Sequence, residues 1–437
     1  RRGTAGHTAH WPLRSSMIGY LTRLSTFSAL RHRDYRLFWT GSLVSLVGTW
    51  MQSTAQSYLV WELTRSALAT SLTFLFFSLP STVLSVVGGV VADRMERRAL
   101  VLATQTVFML QALTMTVLTF SRTIEVWHVY LLALVNGTVM AFDSPARQSM
   151  LPSLVEREDL GNAIALNSTV FNASRVIGPP IAGIVYAAAG PAWCFAVNTV
   201  SYAAILYALW IIRPRSAGSM VRQRTMWWNI VEGMQYVRSH SVERTLLLLV
   251  ALVGTFAFTY VVLMPVVATR VLGGGPAENG YLLGSAGVGA TLGGLMVATL
   301  RPRRPGKVIL SFGYAAVLCL VAFSFSRHLA LSMALSVGVG GSIMAFLATC
   351  NATIQFHLPD TLRGRIMSLY TLALIGSGPL NSLIAGLLGS ALGAPLAIAL
   401  SGAVLGLGLV LVALRNREVF DLEMPPTLAT APAPASH

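Results

Sequence analysis

The chain has 437 residues, of which 54% are hydrophobic and only 11% charged, yet 31 Lys+Arg against 16 Asp+Glu give a net charge of +15. A mean hydropathy of +0.65 excludes a disordered chain and a charge-rich soluble enzyme, and so much apolar bulk does not suit a nucleic-acid binder. Three cysteines in apolar runs cannot staple a secreted domain, which leaves a polytopic membrane protein.

Residues 1–36 form a basic segment in which Met17 is a candidate native start. A bilayer-crossing helix needs about 20 mostly apolar residues, because lipid offers the backbone no hydrogen-bond partner. Six such stretches follow, near 37–60, 67–92, 99–120, 126–146, 160–188 and 193–212, and make a first bundle over 37–212. The longest hydrophilic stretch, 213–245, interleaves Trp227, Trp228, Ile230, Val231, Met234 and Val237 with polar residues, which predicts an amphipathic helix on the membrane surface. Six further spans, near 246–271, 278–300, 308–326, 329–350, 365–389 and 395–414, make a second bundle over 246–414. The tail 415–437 is Pro/Ala-rich from 424 and is expected to be disordered. These runs are too long and continuous for barrel strands, so the fold class is all-α with twelve transmembrane helices. With both termini placed in the cytoplasm, 26 of the 31 basic residues fall in inside segments, and the positive-inside rule then fixes the orientation.

The two halves echo one another. Gly88-Gly89 in span two has a counterpart in Gly293-Gly294 of span eight, and Gly178-Pro179 in span five has one in Gly378-Pro379 of span eleven. Paired six-helix bundles suit alternating access, in which similar halves rock about a central site. Gly and Pro at 178, 179, 378 and 379 are expected to bend their helices.

Polar residues inside a span default to functional candidates. In span one Ser45, Thr49, Gln52 and Gln56 share a helix face, either lining a cavity or bonding neighbouring helices. In span five Asn167, Phe171 and Arg175 share a face, with Arg175 deep in the span and in need of a partner, water or an anion. Asn136 of span four and the aromatic pair Phe256 and Tyr260 of span seven complete the substrate-contact candidates. No acidic residue falls at mid-span, and Glu62 is the first candidate for a proton carrier. The eight His lack metal-ligand spacing, and Gly284 to Gly289 imitates a phosphate loop but lies within a span. No cofactor is expected.

Between spans two and three, Gly89-Val90-Val91-Ala92-Asp93-Arg94 runs on through Arg97 and Arg98, which resembles the loop motif of the major facilitator superfamily. The likeness implies that Gly89, Asp93, Arg94, Arg97, Arg98 and Asp143, at the end of span four, form a conformational gate, with Asp143 paired to Arg97. Glu96 stands where that motif has a second Gly. The Arg175 to Gly183 stretch resembles the Gly-Pro motif of superfamily antiporters. Arg33 to Trp39, Pro145 to Val155 and Leu362 to Ser368 are similar to the branch of the enterobactin exporter and related multidrug efflux proteins. Ala133 stands where many superfamily exporters carry an Arg. The resemblance implies a monomeric exporter of a small molecule, a drug-like compound or a siderophore, in a bacterial inner membrane. It implies exchange with protons, membrane lipid as a partner, and no nucleic acid. Lipid or lysophospholipid flipping is the alternative within transport, and a membrane-embedded biosynthetic enzyme the alternative outside it.

Overall fold

The computed structural model describes residues 25–212, 226–300 and 304–420. Met17, residues 213–225 of the central loop and the tail beyond 420 lie outside the described residues. Among those described, every regular element is helical.

Spans one to six are Arg33–Thr64, Ala67–Arg94, Arg97–Phe120, Val126–Met150, Leu160–Ala189 and Pro191–Ile211. The surface helix is Met226–Ser239. Span seven begins as Ser241–Phe256 and continues in short pieces to Val271. Spans eight to ten are Pro276–Leu300, Pro305–Phe325 and Leu329–His357, span eleven is Asp360–Ile375 followed by Gly378–Leu392, and span twelve is Ala394–Arg415. Ten of these are apolar enough to cross a membrane by length and composition. Spans one and five, with 32 and 30 residues, have the length but carry polar side chains along it. They lie against each other: a Cβ on Gly178 would sit 2.5 Å from Trp50 Cβ and 2.9 Å from Val47 O.

The pseudo-symmetry of the halves is visible in the backbone. Span five turns into span six through Gly190 at φ +90°, and span eleven into span twelve through Gly393 at φ +80°, a region open to glycine at little cost. Gly88 abuts the Ala141 carbonyl of span four, and Gly293 abuts the Gly341 carbonyl of span ten. The two halves differ here. Span five stays one continuous helix through Gly178 and Pro179, and Gly178 packs closely against span one. Span eleven does break, at Gly376 and Ser377, so that Gly378 and Pro379 open its second segment. Asn381, just beyond, donates to Thr255 O at 2.8 Å and Thr259 Oγ1 at 3.1 Å, bracing the interruption in span seven.

Candidate functional site

Both described chain ends and the surface helix lie at one end of the bundle, here called the termini end. At the opposite end the halves are in contact. Gly183 meets Pro276 O and Ala277, Gly284 meets Pro180, and Gly287 meets Arg175 O, so span five lies along span eight without a gap. Pro179 and Pro180 have no N–H, which frees the carbonyls of Arg175 and Val176 from intrahelical bonds. Gly287 and Gly284 approach those same two carbonyls. Gly389 against Ala67, Gly378 against Ser78 and Thr82 Oγ1 on Ile375 O join spans two and eleven in the same way.

The contact stops at mid-depth. The next residues on the facing sides, Ala165 and Thr169 of span five and Leu295 and Ala298 of span eight, are exposed. One buried apolar cluster crosses both halves, joining Trp61, Ala182 and Tyr186 to Tyr260, Leu263 and Leu282. Another, around Phe38, Leu100 and Ile205, belongs to the first half alone. The result is a cleft between the halves, closed at the opposite end and open at the termini end.

Charged and aromatic groups close the far end, and sequence reasoning missed most of them. The Arg270 guanidinium carbon lies 4.8 Å from the Trp61 ring centroid, and its Nη2 donates to Arg65 O at 3.0 Å, tying the second half to the end of span one. Tyr186 donates to Glu62, and its ring meets Tyr58 edge to face at 5.1 Å. Glu278 accepts from Gly275 N at 2.6 Å. Glu62 is therefore an exposed acid at the rim and not a mid-membrane one. A basic residue in the loop between two apolar spans was the available signal for Arg270.

At mid-depth the span-five candidates meet span one. Arg175 faces the Trp50 ring with its guanidinium carbon 6.0 Å from the centroid, and Trp50 meets Phe171 edge to face at 6.0 Å. Asn136 and Asn167 are half-buried on spans four and five, and Phe256 is half-buried against the core. Tyr260 is wholly buried and meets Phe323 at 6.1 Å, so it is a core residue in this conformation.

Within the span-one stripe, Thr49 and Gln52 bond neighbouring helices, the second of the two readings the spacing left open. Gln52 donates to Gln111 of span three at 2.7 Å and accepts from Asn198 of span six at 2.7 Å. Thr49 pairs with Tyr202 of span six at 3.1 Å. Ser45 and Gln56 are buried. The reason is geometric: Gly41 and Gly48 on that side let span six come close enough for Thr49 and Gln52 to reach Tyr202 and Asn198.

The gate residues are also rearranged. Asp143 accepts from Thr104 at 2.6 Å, Gln105 at 2.8 Å and Arg147 Nε at 2.9 Å, while Arg147 Nη1 reaches Ser42 at 3.3 Å. Asp143 is thus paired with Arg147 one turn on, not with Arg97, because buried hydroxyl and amide donors of span three draw it inward. Arg98 donates to Leu209 O at 2.7 Å and Trp210 O at 2.8 Å, capping the C-terminus of span six. Gly89 lies in the last turns of span two and Arg94 ends it, whereas Arg97 opens span three. The Asp93 side chain lies outside what is described.

Two pseudo-symmetric six-helix bundles around a cleft closed at one end define a membrane transporter of the major facilitator type. The sequence matches the transmembrane secretion effector family over residues 24–434, and the chain belongs to that family of efflux transporters. It is 28% identical to the multidrug efflux pump Tap of Mycolicibacterium fortuitum over 88% of this chain and 96% of that one. It is 24% identical to the staphyloferrin A transporter of Staphylococcus aureus over 80% and 88%, and 24% identical to the enterobactin exporter EntS of Shigella boydii over 87% and 90%. Among solved structures it is similar to a bacterial homologue of the human lysosomal transporter Spinster, inward-facing and unoccupied, at TM-score 0.71 and 15% identity over 92% of this chain and all of that one. The nucleoside transporter NupG, as a point mutant, matches at TM-score 0.70 and 11% identity over 89% of this chain and all of that one. These relatives are transporters, not enzymes.

Proposed function

We propose that this chain exports a small organic molecule, a drug-like compound or a siderophore, from the cytoplasm of a bacterium by alternating access, in exchange for protons. The single observation that carries the reading is the cleft, shut by Arg270, Trp61 and the Gly183 contact at one end and open at the other. The basic residues put the termini end in the cytoplasm, so this conformation loads from inside. Efflux by the relatives supports the direction. A second reading, lysolipid flipping, is favoured by the apolar residues Val83, Val87, Leu292 and Leu295, exposed near the open end.

The test is uptake into proteoliposomes under an imposed pH gradient, with a panel of drug-like compounds, siderophores and lysolipids. Gradient-driven movement of a drug or siderophore is expected. Gradient-independent movement of every compound would sink proton exchange, and movement of lysolipid alone would install the second reading.

A further inference from the structure

Spans one and five bring three side chains together at the depth where the cleft closes. Arg175, Trp50 and Phe171 form one continuous patch, Arg175 over the indole and the indole against the phenyl ring. Phe171 is 45% exposed and the other two are half-buried, so the patch keeps an open flank. Tyr260, in the core of the other half, carries a buried hydroxyl with no hydrogen-bond partner among the described residues. Among the described residues no carboxylate pairs with Arg175, and the Tyr260 phenol brings no countercharge. A guanidinium at this depth needs water or an anion, and its planar fork of donors matches a carboxylate or sulfonate.

Resting on the export reading above, we infer that this patch is a subsite for organic anions carrying an aromatic ring. The anionic oxygens take the Arg175 guanidinium, and the ring lies against Trp50 and Phe171. A cationic ligand is disfavoured because Arg175 repels it. A neutral ligand gains the ring contacts alone.

The inference is tested by equilibrium binding of 2-naphthoate, 2-naphthamide and 2-naphthylmethylammonium to the full chain in lipid nanodiscs. The three probes share a ring and differ in charge. Naphthoate should bind about ten-fold tighter than the amide, with the ammonium weakest. Arg175→Gln should bring acid and amide to within about two-fold, Arg175→Lys should keep part of the preference, and Trp50→Leu should weaken both alike. Equal binding of all three probes by the wild type, or preference for the ammonium, would overturn the subsite. So would a naphthoate preference that survives Arg175→Gln. If that variant does not fold, the wild-type series and Arg175→Lys still decide. Failure of the export reading looks different: the naphthoate preference holds while proteoliposomes move no compound at all.

Discussion

Gly183→Ala should shift this transporter out of the conformation described here. A Cβ at position 183 would sit 2.6 Å from Pro276 O and 3.0 Å from Ala277 Cα, whereas ordinary contact begins at 3.4 Å. Both obstacles are backbone, so neither can swing aside. Spans five and eight must therefore part by most of an ångström at the closed end. Overpacking of this kind costs about 1–3 kcal/mol, and only the state with this end closed bears it. At about 1.4 kcal/mol per ten-fold, the population of that state relative to its alternative should fall by about five-fold to a hundred-fold. Spin labels at Arg122 and Arg327, exposed at this end on opposite halves, would report it by double electron–electron resonance once Cys194, Cys319 and Cys350 are replaced. A longer distance component is expected. Gly161→Ala, in the same helix but with nothing within 4 Å, should leave the distribution as in the wild type. An unchanged distribution in folded Gly183→Ala would refute the reasoning.

Gln52→Leu strips Asn198 and Gln111 of their shared partner and should lower stability by about 1–2 kcal/mol in a denaturant titration, while the transported compounds stay the same. Asp143→Ala leaves Arg147 without its countercharge and should cost on the order of 3 kcal/mol in the same titration. Adding Arg147→Met should recover part of that loss. The last prediction concerns pH. A hydrogen bond from Ser28 and another from His32 hold the Asp159 carboxyl below the usual carboxylate range. A lowered folded-state value means the stabilisation is complete above the ordinary Asp value of about 3.9 and is lost as pH falls through the depressed value. Hydrogen exchange across Ser25–Arg31 should therefore accelerate below about pH 4, and Asp159→Asn should flatten that dependence.

Much of the architecture was legible because lipid removes alternatives: a long apolar run must be a helix, and twelve of them with a basic bias on one side leave few arrangements. The polar positions were harder to read. Spacing put Ser45, Thr49, Gln52 and Gln56 on one face, but spacing cannot say whether that face meets a cavity or Asn198 and Gln111. Asp143 stood near several arginines in sequence, and only packing selected Arg147 and the span-three donors. Arg270 looked like an ordinary loop residue, since its partner Trp61 is distant in sequence.

By itself, then, the sequence determined the class of molecule, its helices, its twofold repeat and its family, because hydropathy and short motifs are local properties. Tertiary structure decided which end is closed, which partners Gln52 and Asp143 take and which side chains meet Arg175. Those are relations between helices, set by where glycines allow backbones to touch, and the Arg175, Trp50 and Phe171 patch exists only where spans one and five come together.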